Sequence, residues 1–207
     1  MVTYVLPGMG ADQRMYAGAW HRLPQVRFLD WPKESTASSL AELAVEVIAM
    51  AGIEDGAVVV GSSLGGMVAA EIAKRRSLQR LILVGSALQK EEVSALLRLL
   101  HPLVGLAPLS FVQRAGGKLP SELCTMFSEA DAAFIRNMCR AVFAWEGLDH
   151  ANVPVSRIHG RFDRVIPPPK DATLLDGGHL IAMTHADACV EFIERELGAR
   201  WDEGCRA

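Results

Sequence analysis

The sequence predicts an α/β protein, a mostly parallel six-stranded sheet flanked by helices, with a helical cap insertion. Three observations carry this. Short apolar runs recur that are continuous rather than alternating, as strands buried on both faces require. Amphipathic segments fall between them, and this alternation favours right-handed crossovers onto one sheet. Between Val84 and Val155 the helical pattern continues without a clear strand, over a longer stretch than a plain crossover needs.

Taken in order, Thr3–Leu6 is the first strand, rich in β-branched and aromatic residues, and Val26–Leu29 is a weaker second. Ala57–Val60 is a valine run that ends at Gly61, and Leu81–Val84, Val155–His159 and Ala172–Leu175 complete six. Asp12–Arg22 is the first helix expected. Leu40–Met50 follows, with Ser38 or Ser39 as its cap and Gly52 beyond its end. Leu64–Arg76 ends on basic residues that suit a helix C-terminus, and Ala186–Leu197 precedes Gly198. Leu88–Leu100, Phe111–Gly116 and Ser121–Trp145 make up the stretch without strands. They read as a cap at residues 88–150, inside a single domain spanning residues 1–207; two covering helices joined by a long loop are the plainer alternative.

Composition narrows the function. The chain has 207 residues, half of them apolar, enough for one domain with a sizeable core. Its 21 basic and 24 acidic residues give a net charge of −3, which argues against a nucleic-acid partner. Cys124, Cys139, Cys189 and Cys205 lack CxxC spacing, so free thiols are expected and no metal site. The start lacks a basic opening and a cleavage pattern, and no uncharged apolar run reaches the length of a membrane helix. A cytoplasmic protein with no membrane partner is expected.

Chemistry concentrates at Gly61-Ser62-Ser63-Leu64-Gly65-Gly66. A G-x-S-x-G string is weak alone, but here it follows a strand and opens a helix, the context it needs. A serine on such a sharp turn projects its hydroxyl above the sheet. Side chains two before, two after and three after it would collide, and Gly61, Gly65 and Gly66 stand there. A phosphate loop would need Lys where Met67 stands. Ser63 is the nucleophile candidate; Ser62 lies one place early and reads as structural.

On these residues the chain resembles the α/β-hydrolase family over nearly its whole length. The resemblance implies an oxyanion loop at Pro7-Gly8-Met9-Gly10, with Gly8 in its turn and the backbone N–H groups of Met9 and Leu64 as donors. Pro7 replaces the usual histidine, which leaves main-chain donors intact. Val155–Gly160 followed by Asp163, Ile166 and Pro167 is similar to the family's acid signature, and Gly177-Gly178-His179 to its histidine loop. The implied acid and base are Asp163 and His179, in the family order of serine, acid, histidine. The alternative place for the acid, after Val84, holds no carboxylate. Asp176 reads as a turn residue. His185 is expected in the closing helix. His21, His101, His150 and His159 carry no motif.

The chain departs from the family twice. The usual first hairpin is absent, and Pro167-Pro168-Pro169-Lys170-Asp171 stands where a helix normally separates the last two strands. That short link should leave a sheet face under-covered near the C-terminal edge, a strip suited to a homodimer contact.

The resemblance implies a serine hydrolase acting on a carboxylic ester or thioester, with no cofactor. The uncharged stretch Leu99–Gln113 and the Met and Phe content of Ser121–Phe143 suggest either an apolar acyl pocket or packing of the cap onto the core. The motifs are also similar to those of pimeloyl-carrier-protein methyl ester esterases. A carrier-protein substrate would use Arg98, Arg114, Lys118, Arg136 and Arg140, which equally suit solvated helix faces. Two other readings stay open: the same triad turned to carbon–carbon bond hydrolysis, lyase chemistry or acyl transfer, and a non-catalytic ligand-binding member of the fold.

Overall fold

A strand covered on both faces must be apolar at every position, and all five residues of Val58–Ser62 are buried. In the computed structural model, which describes residues 2–94, 121–148 and 153–198, this strand is central. The strands are β1 (Thr3–Leu6), β2 (Val26–Phe28), β3 (Val58–Ser62), β4 (Arg80–Val84), β5 (Val155–Gly160) and β6 (Thr173–Leu175). They form one sheet in the order β2-β1-β3-β4-β5-β6, and every pair is parallel. Leu6 pairs with Gly61, Ser62 with Val84, and Val84 with Ile158. The C-terminal ends of these strands therefore lie side by side, where α/β sheets build their sites.

Successive strand residues feed opposite faces. Tyr4, Leu6, Val59, Leu81 and Leu83 enter one apolar cluster, and Val5, Val58, Val60, Ile82 and Val84 the other. The first face is covered by α1 (Leu40–Ala51) and α2 (Leu64–Ala73). Ser39 caps α1 by accepting from the Glu42 amide at 3.2 Å, and Gly52 ends it at φ 64°.

The second face departs from the expected Asp12–Arg22 helix. Two short 3-10 turns, Gln13–Met15 and Gly18–Arg22, stand there instead, separated at Gly18, whose φ is 62°. The break lets Met15, Tyr16 and Trp20 all turn into the core, and the Trp20 indole donates to the Ala182 carbonyl at 2.8 Å.

Two helices of the strand-free stretch are described, α3 (Ser121–Glu129) and α4 (Ala132–Ala144). Residues 95–120 and 149–152, with the expected segment Phe111–Gly116, lie outside the described residues. The stretch leaves and returns at one point: the Leu148 amide donates to the Leu88 carbonyl, and the Gln89 side chain to the Leu148 carbonyl, both at 2.8 Å. Met126 and Met138 are buried against the sheet layers, one on each face, so much of the Met content packs the core.

The chain closes with α5 (Ile181–Thr184) and α6 (Ala186–Gly198). No helix joins β5 to β6 among the described residues; Ile166, 1% exposed, fills the core from the proline-rich link. The exposed apolar side chains near this edge are Phe162 and Leu174. No helix of the described residues is long and apolar enough to cross a membrane.

The stem of the insertion rests on a buried carboxylate. Glu71, in α2, accepts from the Trp145 indole at 2.8 Å and pairs with Lys74 and Arg75. Burial pushes its carboxyl up, but the hydrogen bonds from Lys74, Trp145 and Arg75 outweigh this and hold it below the usual range. Trp145→Phe removes one donor to that charge. A loss of about 1–3 kcal/mol in urea unfolding, with far-UV circular dichroism unchanged, is expected.

Candidate active site

The turn from β3 into α2 has no room for a side chain at its crossing points. A Cβ at Gly61 would lie 2.3 Å from the Gly65 carbonyl, and one at Gly65 would lie 2.4 Å from the Pro7 carbonyl oxygen. One at Gly66 would meet Ser86 Oγ at 2.3 Å. Ser63, between them, adopts φ 51° and ψ −119°, a strained conformation for a residue with a side chain. Its amide donates to the Val84 carbonyl at 3.2 Å, and its carbonyl accepts from Ser86 Oγ at 2.6 Å. Ser62 points the other way, 3.0 Å from the Tyr16 hydroxyl in the core.

Two loops bring the other expected residues to this turn. Asp163 follows β5, and His179 lies between β6 and α5. They reach each other because the loops touch: a Cβ at Gly160 would lie 2.1 Å from the Gly178 carbonyl oxygen. The Phe162 amide donates to the Gly177 carbonyl at 2.9 Å. His179 Nδ1 is 2.8 Å from Asp163 Oδ2, and His179 Nε2 is 2.9 Å from Ser63 Oγ. A carboxylate only accepts, so Nδ1 carries the proton and Nε2 is left to accept from the serine hydroxyl.

Asp163 is buried and saturated. Oδ1 accepts from the amides of Val165 at 2.8 Å and Ile166 at 3.0 Å, and Oδ2 from His179 and from His159 Nε2 at 3.1 Å. Burial pushes its carboxyl up. The electrostatic pull of the His179 ring and the hydrogen bonds from His159, His179 and the Ile166 amide outweigh this and hold it far below the ordinary range.

The loop Pro7–Gly10 lies beside the serine: a Cβ placed on Gly8 would stand 3.8 Å from Ser63 Cβ. The Trp31 indole donates to the Gly8 carbonyl at 3.1 Å, and Gly10, at φ 68°, lies under the Phe127 ring, leaving no space for a Cβ. Cys139 Sγ is 3.4 Å from Met9 Sδ. The amides of Met9 and Leu64 have no acceptor among the described residues, and Leu64 opens α2, where backbone N–H groups are left unpaired.

The remaining candidates lie apart. Asp176 pairs outward with Arg161, and His185 bonds to Thr184 Oγ1. His21 packs on Phe28. Arg136 and Arg140 are exposed on α4; Arg98, Arg114, Lys118, His101, His150 and the stretch Leu99–Gln113 lie outside the described residues. Three contributors escaped sequence reasoning: His159, Ser86 and Trp31. The signal for His159 was its place just before Gly160, four residues from Asp163, where strand alternation turns it inward.

Two outcomes follow from this geometry. Gly65→Ala forces a methyl group against backbone that cannot swing away, so thermal unfolding should register a loss of roughly 1–3 kcal/mol or more. Asp163 favours its charged form in the folded state. Its contribution is therefore present above the unfolded value of 3.8 and lost as pH falls toward the lower folded value. Urea midpoints for Asp163→Asn should fall less steeply than wild type below about pH 4, with Glu71 leaving a residual slope.

The sequence profile of the alpha/beta hydrolase family matches residues 2–192. No curated protein matches the sequence. Solved structures similar to the chain include an esterase from Thermogutta terrifontis, at TM-score 0.71 and 18% identity over 95% of this chain and 89% of that one. An enol-lactonase from Burkholderia xenovorans matches at 0.70 and 20% identity, over 95% and 91%. The type II thioesterase BorB of the borrelidin cluster matches at 0.68 and 21% identity, over 94% and 91%. At these identities the structures speak for the fold. The profile covers most of the chain, and the chain belongs to the alpha/beta hydrolase family.

Proposed function

We propose that the protein is a serine hydrolase of carboxylic esters or thioesters, with Ser63 as nucleophile, His179 as base and Asp163 as acid. The observation that carries this is the unbroken relay of 2.9 Å from Ser63 Oγ to His179 and 2.8 Å from His179 to Asp163, ending on a strained serine. His179 Nε2 takes the Ser63 proton as Oγ attacks the acyl carbon. Asp163 holds the imidazole in the accepting tautomer and stabilises its cation. The amides of Met9 and Leu64 receive the oxyanion, and one such donor is worth about 3–4 kcal/mol in comparable sites. His179 then returns the proton to the leaving alcohol or thiol. Water, activated by the same imidazole, releases the acid and restores Ser63.

An apolar acyl group suits the surroundings. Met9, Phe127 and Cys139 converge on the oxyanion loop. Burial pushes the Cys139 thiol up to about 11, so it stays protonated and behaves as a small apolar group. The esterase, thioesterase and enol-lactonase among the similar structures each break an acyl–oxygen or acyl–sulfur bond by name.

A fluorophosphonate probe and a p-nitrophenyl ester series test the reading. Wild type should label on Ser63 and turn over esters, favouring longer acyl chains over acetate. Ser63→Ala and His179→Ala should abolish labelling and lower kcat by at least about 10⁴-fold, and Asp163→Asn by on the order of 10⁴-fold, with folding retained. Folded wild type that neither labels nor hydrolyses any ester or thioester would return the protein to the ligand-binding reading. Labelling with no hydrolysis would point to another reaction of the same serine.

A further inference from the structure

We propose that His159 is a positioning residue for Asp163, a fourth member of the relay that holds the acid in register without touching substrate; this rests on the serine hydrolase reading. His159 sits at the end of β5 and is fully buried. Its Nε2 lies 3.1 Å from Asp163 Oδ2 and 2.7 Å from the Ile166 carbonyl oxygen. Both partners are acceptors, so Nε2 carries the proton and shares it between them. Its Nδ1 is buried with no partner among the described residues. A core histidine kept for stability alone is expected to satisfy both nitrogens. Here, among the described residues, only Nε2 is paired, and it points at the carboxylate.

Two imidazoles thus converge on one oxygen. Asp163 Oδ2 takes His179 Nδ1 at 2.8 Å and His159 Nε2, while Oδ1 is occupied by the amides of Val165 and Ile166. Without the His159 donor Oδ2 is held by the His179 ring alone, and the carboxylate is freer to rock about its Cβ–Cγ bond. That motion lengthens the contact to His179, and the tautomer that accepts from Ser63 is less firmly held. The bond to the Ile166 carbonyl also fixes the loop that carries Asp163.

The test compares His159→Leu, His159→Asn and His159→Gln, each assayed with a p-nitrophenyl ester after its thermal unfolding is recorded. A Gln amide nitrogen overlays Nε2 and restores the donor; an Asn amide stops one atom short. His159→Leu and His159→Asn should lower kcat about 10- to 100-fold, the range for a lost hydrogen bond to a charged group, with KM within about twofold of wild type. His159→Gln should recover most of that loss. A structural role alone would lower the unfolding temperature without this split or this rescue. If His159→Leu does not fold, the Gln-to-Asn comparison decides. Folded Leu or Asn variants at wild-type kcat overturn the proposal, as does a Gln variant no better than Asn. Wild type that is itself inactive, with no probe on Ser63, instead overturns the hydrolase reading and this proposal with it.

Discussion

The structure depends on one act of crowding, the close approach of three backbones at Ser63. The end of β1, the turn after β3 and the first turn of α2 meet so tightly that added Cβ atoms at Gly61 and Gly65 would each lie within 2.5 Å of main chain. Such contact is available only to glycine, and it forces Ser63 into positive φ. The strain is held by neighbours rather than by the turn itself. Ser86 Oγ grips the Ser63 carbonyl, and the Val84 carbonyl takes the Ser63 amide. Arg157, buried in β5, donates to the Ser86 carbonyl and pairs with Glu92 at the base of the insertion. Ser63 is thus held above the sheet by groups from β4, β5 and the insertion stem.

The same logic explains how the fold does without a helix between β5 and β6. A covering helix would normally set the spacing of the loops that carry Asp163 and His179. Here direct contact sets it, with Gly160 against the Gly178 carbonyl and the Phe162 amide on the Gly177 carbonyl. Ile166 fills the volume a helix would have covered and also presents its amide to Asp163 and its carbonyl to His159. Packing and the placement of Asp163 fall to one short loop. His179, His159 and the Ile166 amide together draw Asp163, although buried, firmly to its charged form.

The parts read most readily from sequence are those fixed by steric rules acting over a few residues. The valine run of β3, the glycines around Ser63 and the Ser39 cap of α1 each state their structure locally. Ser63, Asp163 and His179 were legible because short strands and fixed turns carry them, and all three come within hydrogen-bond distance. The parts that escaped depend on distant partners. Gly18 ends the expected first helix because the turn must send Tyr16 and Trp20 into the core. Trp31 lies 23 residues from the Gly8 carbonyl it holds, and no local pattern announces that pairing. His159 looked idle because the motif around Gly160 draws attention forward to Asp163, while its ring faces that same carboxylate from behind.

The loop Pro7–Gly10 shows what the insertion contributes beyond a cover. A loop that begins Pro7-Gly8 and turns at Gly10 has few bonds of its own. Among the described residues the Gly8 amide finds only Met15 Sδ, at 3.4 Å. Its shape comes from outside: Trp31 on the Gly8 carbonyl, Phe127 of α3 over Gly10, and Cys139 of α4 against Met9. Donors that must face a developing charge gain their effect from being fixed before the reaction. In this chain that fixing is shared with α3 and α4, so on the proposed reading the side chains that would border an acyl group also govern the position of the Met9 amide. Under the proposed hydrolase reading, substrate fit and oxyanion stabilisation would be coupled through the same few contacts, and a change of acyl preference made at Phe127 or Cys139 would carry a change in turnover with it.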